Sequence, residues 1–508
     1  MPVMLLRAPL AGSATTLGLA TLAAAVRGRR WHREDLEAGA DLAEIASERH
    51  HPLDALRLAS GLLGANLAAI WSARWSARRS SAARLPLAGA RDGGLKRSER
   101  SHRWLRGDEL TLGDDAHGRP VSIRLGGAGE GAHTLVVGAT GSGKTVTQTW
   151  IATHAIARGM AVVVVDPKDD RALREAVRRA ARSAGRRFIE WTPTGPSVYN
   201  PYARGGETEI ADKALAGERY TEPHYQRQAQ RYLGHAVRVL HGAGVEVSLA
   251  GLVRMLDPAQ LELLARELPP ESARVVHDYL DSLTARQHSD LTGVRDRLAI
   301  MAESDVGPWL DPVTPGAQRF DLLDALRARA VVCFSLRADS RPLLAQMLGG
   351  AIVQDLQTVV SALQGHPVPA LVLIDEFSAV SAEHVARLFG RARSAGISLL
   401  LGTQELSDLR LPGHEQLLEQ VLGNLTCLIA HRQVVPDSAE LIARLAGTRG
   451  AWHTTRSSDG RVSRTRAREY LINPEEVRGL TRGRAAVIRL TERGRVAIAQ
   501  VLPPTTPR

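Results

Sequence analysis

The chain has 508 residues, 44% of them hydrophobic, enough to bury a sizeable core and to exclude a disordered chain; at this length two to four domains are expected. All 65 basic residues are arginine except Lys96, Lys144, Lys168 and Lys213, a bias that looks like a GC-rich coding sequence, so abundant arginine does not by itself mark a phosphate-binding surface. The net charge of +11 lies at the ends, with +7 over residues 1–108 and +8 over 449–508 against −4 between them, which reads either as solvated tails or as contact with nucleic acid or anionic lipid.

Residues 8–26 and 58–73 are uncharged stretches, each closed by arginines (Arg27, Arg29 and Arg30; Arg74, Arg78 and Arg79). A membrane span needs about 20 apolar residues, and both stretches are short and rich in Ala, Gly, Ser and Thr. Residues 1–80 therefore read as an N-terminal helical region: a transmembrane hairpin, a soluble amphipathic pair or a signal-like leader. With both ends of a hairpin inside, Arg74–Arg79 obey the positive-inside tendency and Arg27–Arg30 offend it. Residues 81–109 are basic, carry Gly, Ser and Pro without a period, and read as a linker.

From about Leu110 short apolar runs alternate with helical stretches, the pattern of an α/β parallel sheet. Strands are expected at 134–137, 161–165, 187–190, 330–336, 370–374, 398–401 and 425–430. Helices are expected at 145–158, 171–184, 341–363, 382–394 and 437–445. Several runs are continuously apolar, as in strands covered on both faces. Between the third and fourth strands, residues 207–311 read as an all-α insertion. Ser248 is an expected N-cap, and Asp257-Pro258-Ala259-Gln260 gives a cap, a proline at the first helical position and a capping-box glutamine. The insertion divides the nucleotide-binding domain into 110–206 and 312–508. Cys333 and Cys427 sit inside apolar runs with no metal or disulfide spacing, and read as core thiols.

Residues 138–145 read GATGSGKT after a strand and before a helix, the context that the P-loop pattern requires. Gly138, Ala139, Thr140, Gly141, Ser142 and Gly143 would wrap backbone amides around phosphate oxygens at a helix N-terminus. Lys144 would reach the β- and γ-phosphates, and the Thr145 hydroxyl would ligate Mg²⁺. In a chain that otherwise uses arginine, a lysine here is informative, because a point charge and a guanidinium fork differ in geometry. The run ALVLIDE at 370–376 ends a strand in two carboxylates. Asp375 is expected to partner the metal, and Glu376 to act as base or orienter for the attacking water. Gln404, after the next strand, can report on the γ-phosphate. Arg391 and Arg393 are candidates for an arginine finger acting on a neighbouring subunit. Asp166-Pro167-Lys168 ends the second strand, expected beside the P-loop, where it either supports the pocket or simply ends a strand.

GATGSGKT, VVVVDPKDD, VYNPY (198–202), the helical insertion, LVLIDEF (371–377) and GTQ (402–404), in this order, resemble the TraD, TraG and VirD-four type coupling ATPases of conjugative and type IV secretion systems, within the FtsK–HerA motor superfamily. The resemblance extends over about residues 110–500. It implies a RecA-like P-loop NTPase using ATP and Mg²⁺, a ring of six subunits, and movement of DNA or a nucleoprotein complex through a central channel. The partners implied are DNA, a relaxase and the secretion channel, at the cytoplasmic face of the inner membrane. In the family the finger lies eleven residues before the sensor glutamine, which selects Arg393. Two features depart from the pattern: Asp166-Pro167-Lys168 lacks the glycine that often follows it, and the N-terminal spans are weak. A protein-export coupling ATPase would use the same engine, with a cytoplasmic location as the alternative to the membrane. A membrane-associated scaffold with a vestigial nucleotide site is the non-motor alternative, opposed by the presence of Lys144, Thr145, Asp375 and Glu376 together.

Overall fold

A computed structural model describes residues 105–503 apart from 128, 218–221, 381, 411–415, 457–461 and 492–495. The N-terminal region and most of the linker, including the two uncharged stretches, lie outside the described residues. Trp104–Arg508 form one compact unit.

In chain order, β1 (Leu105–Arg106), β2 (Glu109–Asp114), β3 (Pro120–Arg124), β4 (Gly126–Gly127) and β5 (Glu130–Gly131) precede β6 (Thr134–Val137). Then follow α1 (Lys144–Ala157), β7 (Ala161–Asp166), α2 (Arg171–Ser183), β8 (Phe188–Trp191) and β9 (Ser197–Tyr199). A helical segment comes next: α3 (Glu207–Ala214), α4 (Pro223–Gly242), α5 (Leu249–Met255), α6 (Pro258–Ala265), α7 (Pro270–Asp281) and α8 (Ala285–Ala302). The second part runs β10 (Gln318–Phe320), α9 (Leu322–Arg327), β11 (Val331–Ser335), α10 (Pro342–Ala362), β12 (Ala370–Ile374), α11 (Ala382–Ala392) and β13 (Ile397–Thr403). It closes with α12 (Leu417–Asn424), β14 (Cys427–Ala430), α13 (Pro436–Ala446), β15 (Thr448–Arg456), β16 (Val462–Tyr470), α14 (Pro474–Arg478), β17 (Arg484–Arg489) and β18 (Val496–Val501).

The main sheet has the order β1-β2-β18-β17-β14-β6-β13-β12-β7-β11-β8, with β3 paired to β2. Its seven strands from β14 to β8 are parallel, and the flank from β17 to β1 is antiparallel. Side chains of the central strands alternate between two cores. Leu135, Val137, Val163, Val165, Val372 and Ile374 enter one, and Val136, Val162, Val164, Leu371 and Leu373 enter the other. Helices α1 and α2 cover the second face through Trp150, Ile151, Leu173 and Val177. Coverage on both faces is why these runs are continuously apolar. Cys333 and Cys427 are buried free thiols; burial pushes Cys427 up to about 12.

Two expectations need correction. The strand ending in Asp166 does not lie beside the P-loop strand: β13 and β12 intervene, so β7 borders the Asp375 strand instead. Chain order alone cannot show that two later strands insert between β6 and β7. The amide of Ala259, rather than a reciprocal pair with Gln260, satisfies the Asp257 cap; Ser248 caps Gly251 as expected. The region read as linker also contains structure, because Leu105–Arg106 pair with Glu109–Leu110 at the sheet edge.

The helical segment is rooted by β9 and β10, the strands before and after it, which pair parallel to each other. A buried polar knot ties the root to the engine. Lys213 of α3 donates to Asp355 Oδ1 of α10 at 2.7 Å and to the carbonyls of Pro201 (3.0 Å) and Arg204 (2.6 Å), while the Tyr199 hydroxyl donates to Asp355 Oδ2 at 2.7 Å. Among the described residues Pro342–Ala362 is the one helix long and apolar enough to cross a membrane, and 72% of its apolar window is buried within the domain, as in a core helix.

Candidate nucleotide site

The parallel strands β6, β13, β12 and β7 end together, in register at Val137↔Thr403, Leu401↔Ile374 and Ile374↔Val165. The P-loop leaves β6 at this edge and enters α1. Gly141 and Gly143 have φ of 77° and 114°, conformations that glycine adopts without the usual penalty. A Cβ on Gly138 would lie 2.5 Å from Ser142 Oγ and 2.7 Å from His431 Cβ, so the loop closes tightly on itself. It is held from outside: the Ala139 amide donates to the Arg432 carbonyl (3.0 Å), and the Gly483 amide to that of Ser142 (3.0 Å).

The loop's inner groups, in contrast, are unsatisfied. Among the described residues the amides of Gly141, Gly143, Lys144 and Thr145 have no backbone acceptor, and the buried Ser142 Oγ and Gln148 Oε1 have no partner. Four free amides at a helix N-terminus form a nest for an anion.

Against this nest stands a buried ionic cluster. Lys144, Asp375 and Glu376 are 8%, 4% and 7% exposed. The Lys144 ammonium donates to Glu376 and lies 3.3 Å from Asp375 Oδ1. Lys168 donates to Glu376 Oε1 at 2.8 Å, and Gln148 to Asp375 Oδ1 at 2.9 Å. Glu376 has φ 43° and ψ 48°, a left-handed backbone that costs a non-glycine residue about 1–3 kcal/mol. A side chain on Gly402 would collide with Gln148 and Asp375, so glycine there lets the three strands close around the carboxylate.

Asp166 accepts from the amides of Lys168 (2.9 Å) and Asp170 (2.5 Å) and shapes the turn that delivers Lys168. Burial raises its pKa to about 6; the two amide bonds oppose the rise and Asp375 adds to it. For Lys168 burial disfavours the charge, but the bond to Glu376 and the nearby carboxylates outweigh it and hold the pKa above the usual value. His431 is driven down to about 4 by burial, against the Arg484 carbonyl and with Lys144 adding to the fall. Neutral, it bonds the Thr147 hydroxyl (2.8 Å) and the Arg484 carbonyl (3.1 Å), bracing the first turn of α1.

Of the residues expected from sequence, Lys144, Asp375 and Glu376 come together with the loop. Gln404 reaches it too, at 3.5 Å from the Thr140 hydroxyl. Arg393 does not: it precedes β13 at the other edge of the sheet, where its carbonyl accepts from Gly131 and its guanidinium lies 3.4 Å from the Asn424 carbonyl. Lys168 belongs to the Asp166-Pro167-Lys168 run expected either to support the pocket or to end a strand, and its bond to Glu376 favours the first; Gln148 and His431 carry no such expectation. The scarcity of lysine, which marked Lys144, applies equally to Lys168; Gln148 follows Lys144 by one helical turn. His431 has no such local signal.

The residues present fit a magnesium nucleotide. The nest and Lys144 match phosphates, and Asp166, Asp375 and Glu376 outnumber the two lysines among them. Among the described residues no group of three His, Cys, Asp or Glu could hold a metal alone.

Comparison with known proteins bears on this arrangement. Residues 96–259 match the family model described as type IV secretory system conjugative DNA transfer, and residues 369–482 match that for the TraM recognition site of TraD and TraG. A Mycoplasma pneumoniae protein described only as uncharacterized is 30% identical over 104 residues, which are 20% of this chain and 69% of that protein. The fold is similar to the unbound bacterial conjugative coupling protein TrwBdeltaN70 (TM-score 0.58, 18% identity, 78% of this chain and 93% of that one). It is also similar to the plasmid coupling protein TrwB with ADP and Mg²⁺ (0.55, 19%, 73% and 86%) and to VirB4 of Thermoanaerobacter pseudethanolicus (0.52, 14%, 78% and 97%). The two family models together match more than half of the chain, one on the P-loop part and the other on the part carrying Asp375 and Gln404. The chain belongs to the type IV coupling protein family.

Proposed function

We propose that this chain hydrolyses ATP with Mg²⁺ to move DNA, or a nucleoprotein complex, into a conjugative type IV secretion channel. The observation that carries the reading is the unsatisfied nest of amides facing a buried Lys144–Glu376–Asp375 cluster. ATP supplies the transferable phosphoryl group. The loop amides bind its oxygens, and Lys144 exchanges its carboxylate partners for the β- and γ-phosphates. Thr145 and Asp375 would hold the Mg²⁺, which supplies charge to offset the phosphates. Lys168 keeps Glu376 aimed once Lys144 has left, placing its carboxylate to take a proton from the attacking water. Gln404 reads the γ-phosphate from the loop's rim. Arg393, at the opposite edge, is out of reach of this chain's own nucleotide, so the finger role assigned to it is on a neighbouring subunit of the ring of six that this reading implies. Relaxase, secretion channel and inner-membrane attachment are the partners and place that this reading implies. The test is ATP turnover of the assembled full-length chain with and without single- and double-stranded DNA. DNA stimulation is expected; turnover indifferent to both would contradict a DNA motor and favour protein cargo.

A further inference from the structure

Strands β15 and β16 form a two-stranded ribbon of their own. Its antiparallel register puts directly opposed residues on one face and alternate residues on the other. The pairs Trp452↔Arg466, Gly450↔Arg468 and Thr448↔Tyr470 share a face, and Arg464 continues it along β16. The other face has Ala451↔Ala467 and the ion pair Arg449–Glu469 (3.9 Å). Trp452, Tyr470, Arg464, Arg466 and Arg468 therefore project to one side.

That side is open and uncompensated. Trp452 is 68% exposed and Tyr470 36%, whereas Trp150 and Trp191 are in the core. Arg464, Arg466 and Arg468 are exposed and form no ion pair among the described residues. Gly450 leaves room for the Arg466 guanidinium to lie across the strand, about 3.1 Å from where a Cβ would be. An exposed tryptophan has no stability rationale here, and three adjacent unpaired guanidiniums repel one another unless something anionic lies over them.

We infer that this face of the β15–β16 ribbon is a binding site for single-stranded DNA, with Arg464, Arg466 and Arg468 on phosphates and Trp452 and Tyr470 under bases. Duplex DNA would use the arginines and leave the aromatic faces without partners, because its bases are already stacked; an anionic lipid surface could take both rings and cations, and the vesicle arm of the test below separates it from the single strand. Alternating cations and aromatic platforms are what an unstacked strand requires. The inference rests on the DNA-motor reading and adds to it where on the chain the strand is gripped. It uses no residue of the nucleotide site.

The experiment measures binding of a 20-nucleotide oligothymidine, a duplex of equal length and anionic vesicles to the full-length chain, across a salt series. Trp452→Ala should weaken oligothymidine about tenfold and the duplex less than twofold, with Trp452→Phe close to wild type. Gln at all three arginines should lower the slope of log affinity against log salt by about 2. Both substitution sets are on exposed positions, so melting temperature and basal ATP turnover should not change. Oligothymidine binding that survives both sets overturns the assignment of the ribbon while leaving the motor reading intact. Equal loss of single-stranded and duplex binding in Trp452→Ala, or loss confined to vesicles, overturns the single-strand assignment. A wild-type chain that binds neither DNA contradicts the motor reading itself.

Discussion

Among the described residues two buried lysines, Lys213 and Lys144, face carboxylates, and their surroundings differ. Lys213 has three acceptors, and both oxygens of Asp355 are used, one by Lys213 and one by Tyr199. Nothing in that knot is left over. Lys144 meets Glu376 and Asp375 across a loop whose amides lack acceptors, beside the unpaired Ser142 Oγ and Gln148 Oε1 and next to a left-handed glutamate. Burial and ion pairing are common to both; incomplete satisfaction and backbone strain belong to the second alone. The buried Ser142 Oγ and Gln148 Oε1, without partners, cost about 1–3 kcal/mol each, which a ligand can relieve.

The comparison breaks most readily at Glu376. Glu376→Gln should slow ATP turnover roughly a thousandfold, measured as phosphate release, while nucleotide binding persists. Arg393→Ala should also cost about a thousandfold, but only in the assembled ring, since the side chain is at the far edge of its own sheet. Mixing it with Glu376→Gln subunits should restore turnover at those interfaces that pair an intact Arg393 with an intact Glu376. In the structural knot, Lys213→Met should lower stability by about 3–5 kcal/mol in urea unfolding, because Asp355 would be left buried and uncompensated. Adding Asp355→Leu should recover most of that loss, whereas no second carboxylate change should rescue the Lys144 site.

The smallest effect is on acid stability. His133 and His431 both have pKa values near 4 in the folded chain, chiefly through burial. The unfolded chain takes up these protons below about pH 6.5 and the folded chain does not, so each histidine removes up to about 3 kcal/mol as pH falls from 6.5 to 4. Asp166 works the other way: its pKa near 6 lets the folded chain keep a proton that the unfolded one releases above about 3.8, so its contribution grows as pH falls from 6. Melting at pH 7 and pH 5 should therefore show a shallower acid loss in His431→Gln and a steeper one in Asp166→Asn.

Much of this was legible in the sequence because the signals are local. The P-loop, the Asp375-Glu376 strand end and the seven parallel strands are each contained in a short run. What escaped depends on distance or on composition. The insertion of β13 and β12 between β6 and β7 is a choice among pairings that strand patterns do not encode. Asp355 lies far along the chain from Lys213, so a scarce lysine could not be told apart as structural or catalytic. Arginines at 464, 466 and 468 have the period of a strand. In a chain with so many arginines that period is hidden within the C-terminal charge excess, which reads equally as solvated tail or as nucleic-acid or lipid contact, and no ribbon is expected there.

The most direct test is ATP turnover by the assembled full-length chain in wild-type and Lys144→Ala forms, with melting recorded on the same preparations. The account predicts that the variant stays folded, with a melting temperature lowered because Asp375 and Glu376 lose one of their cations, and that its turnover falls to background. Retained hydrolysis in a folded Lys144→Ala chain would contradict it.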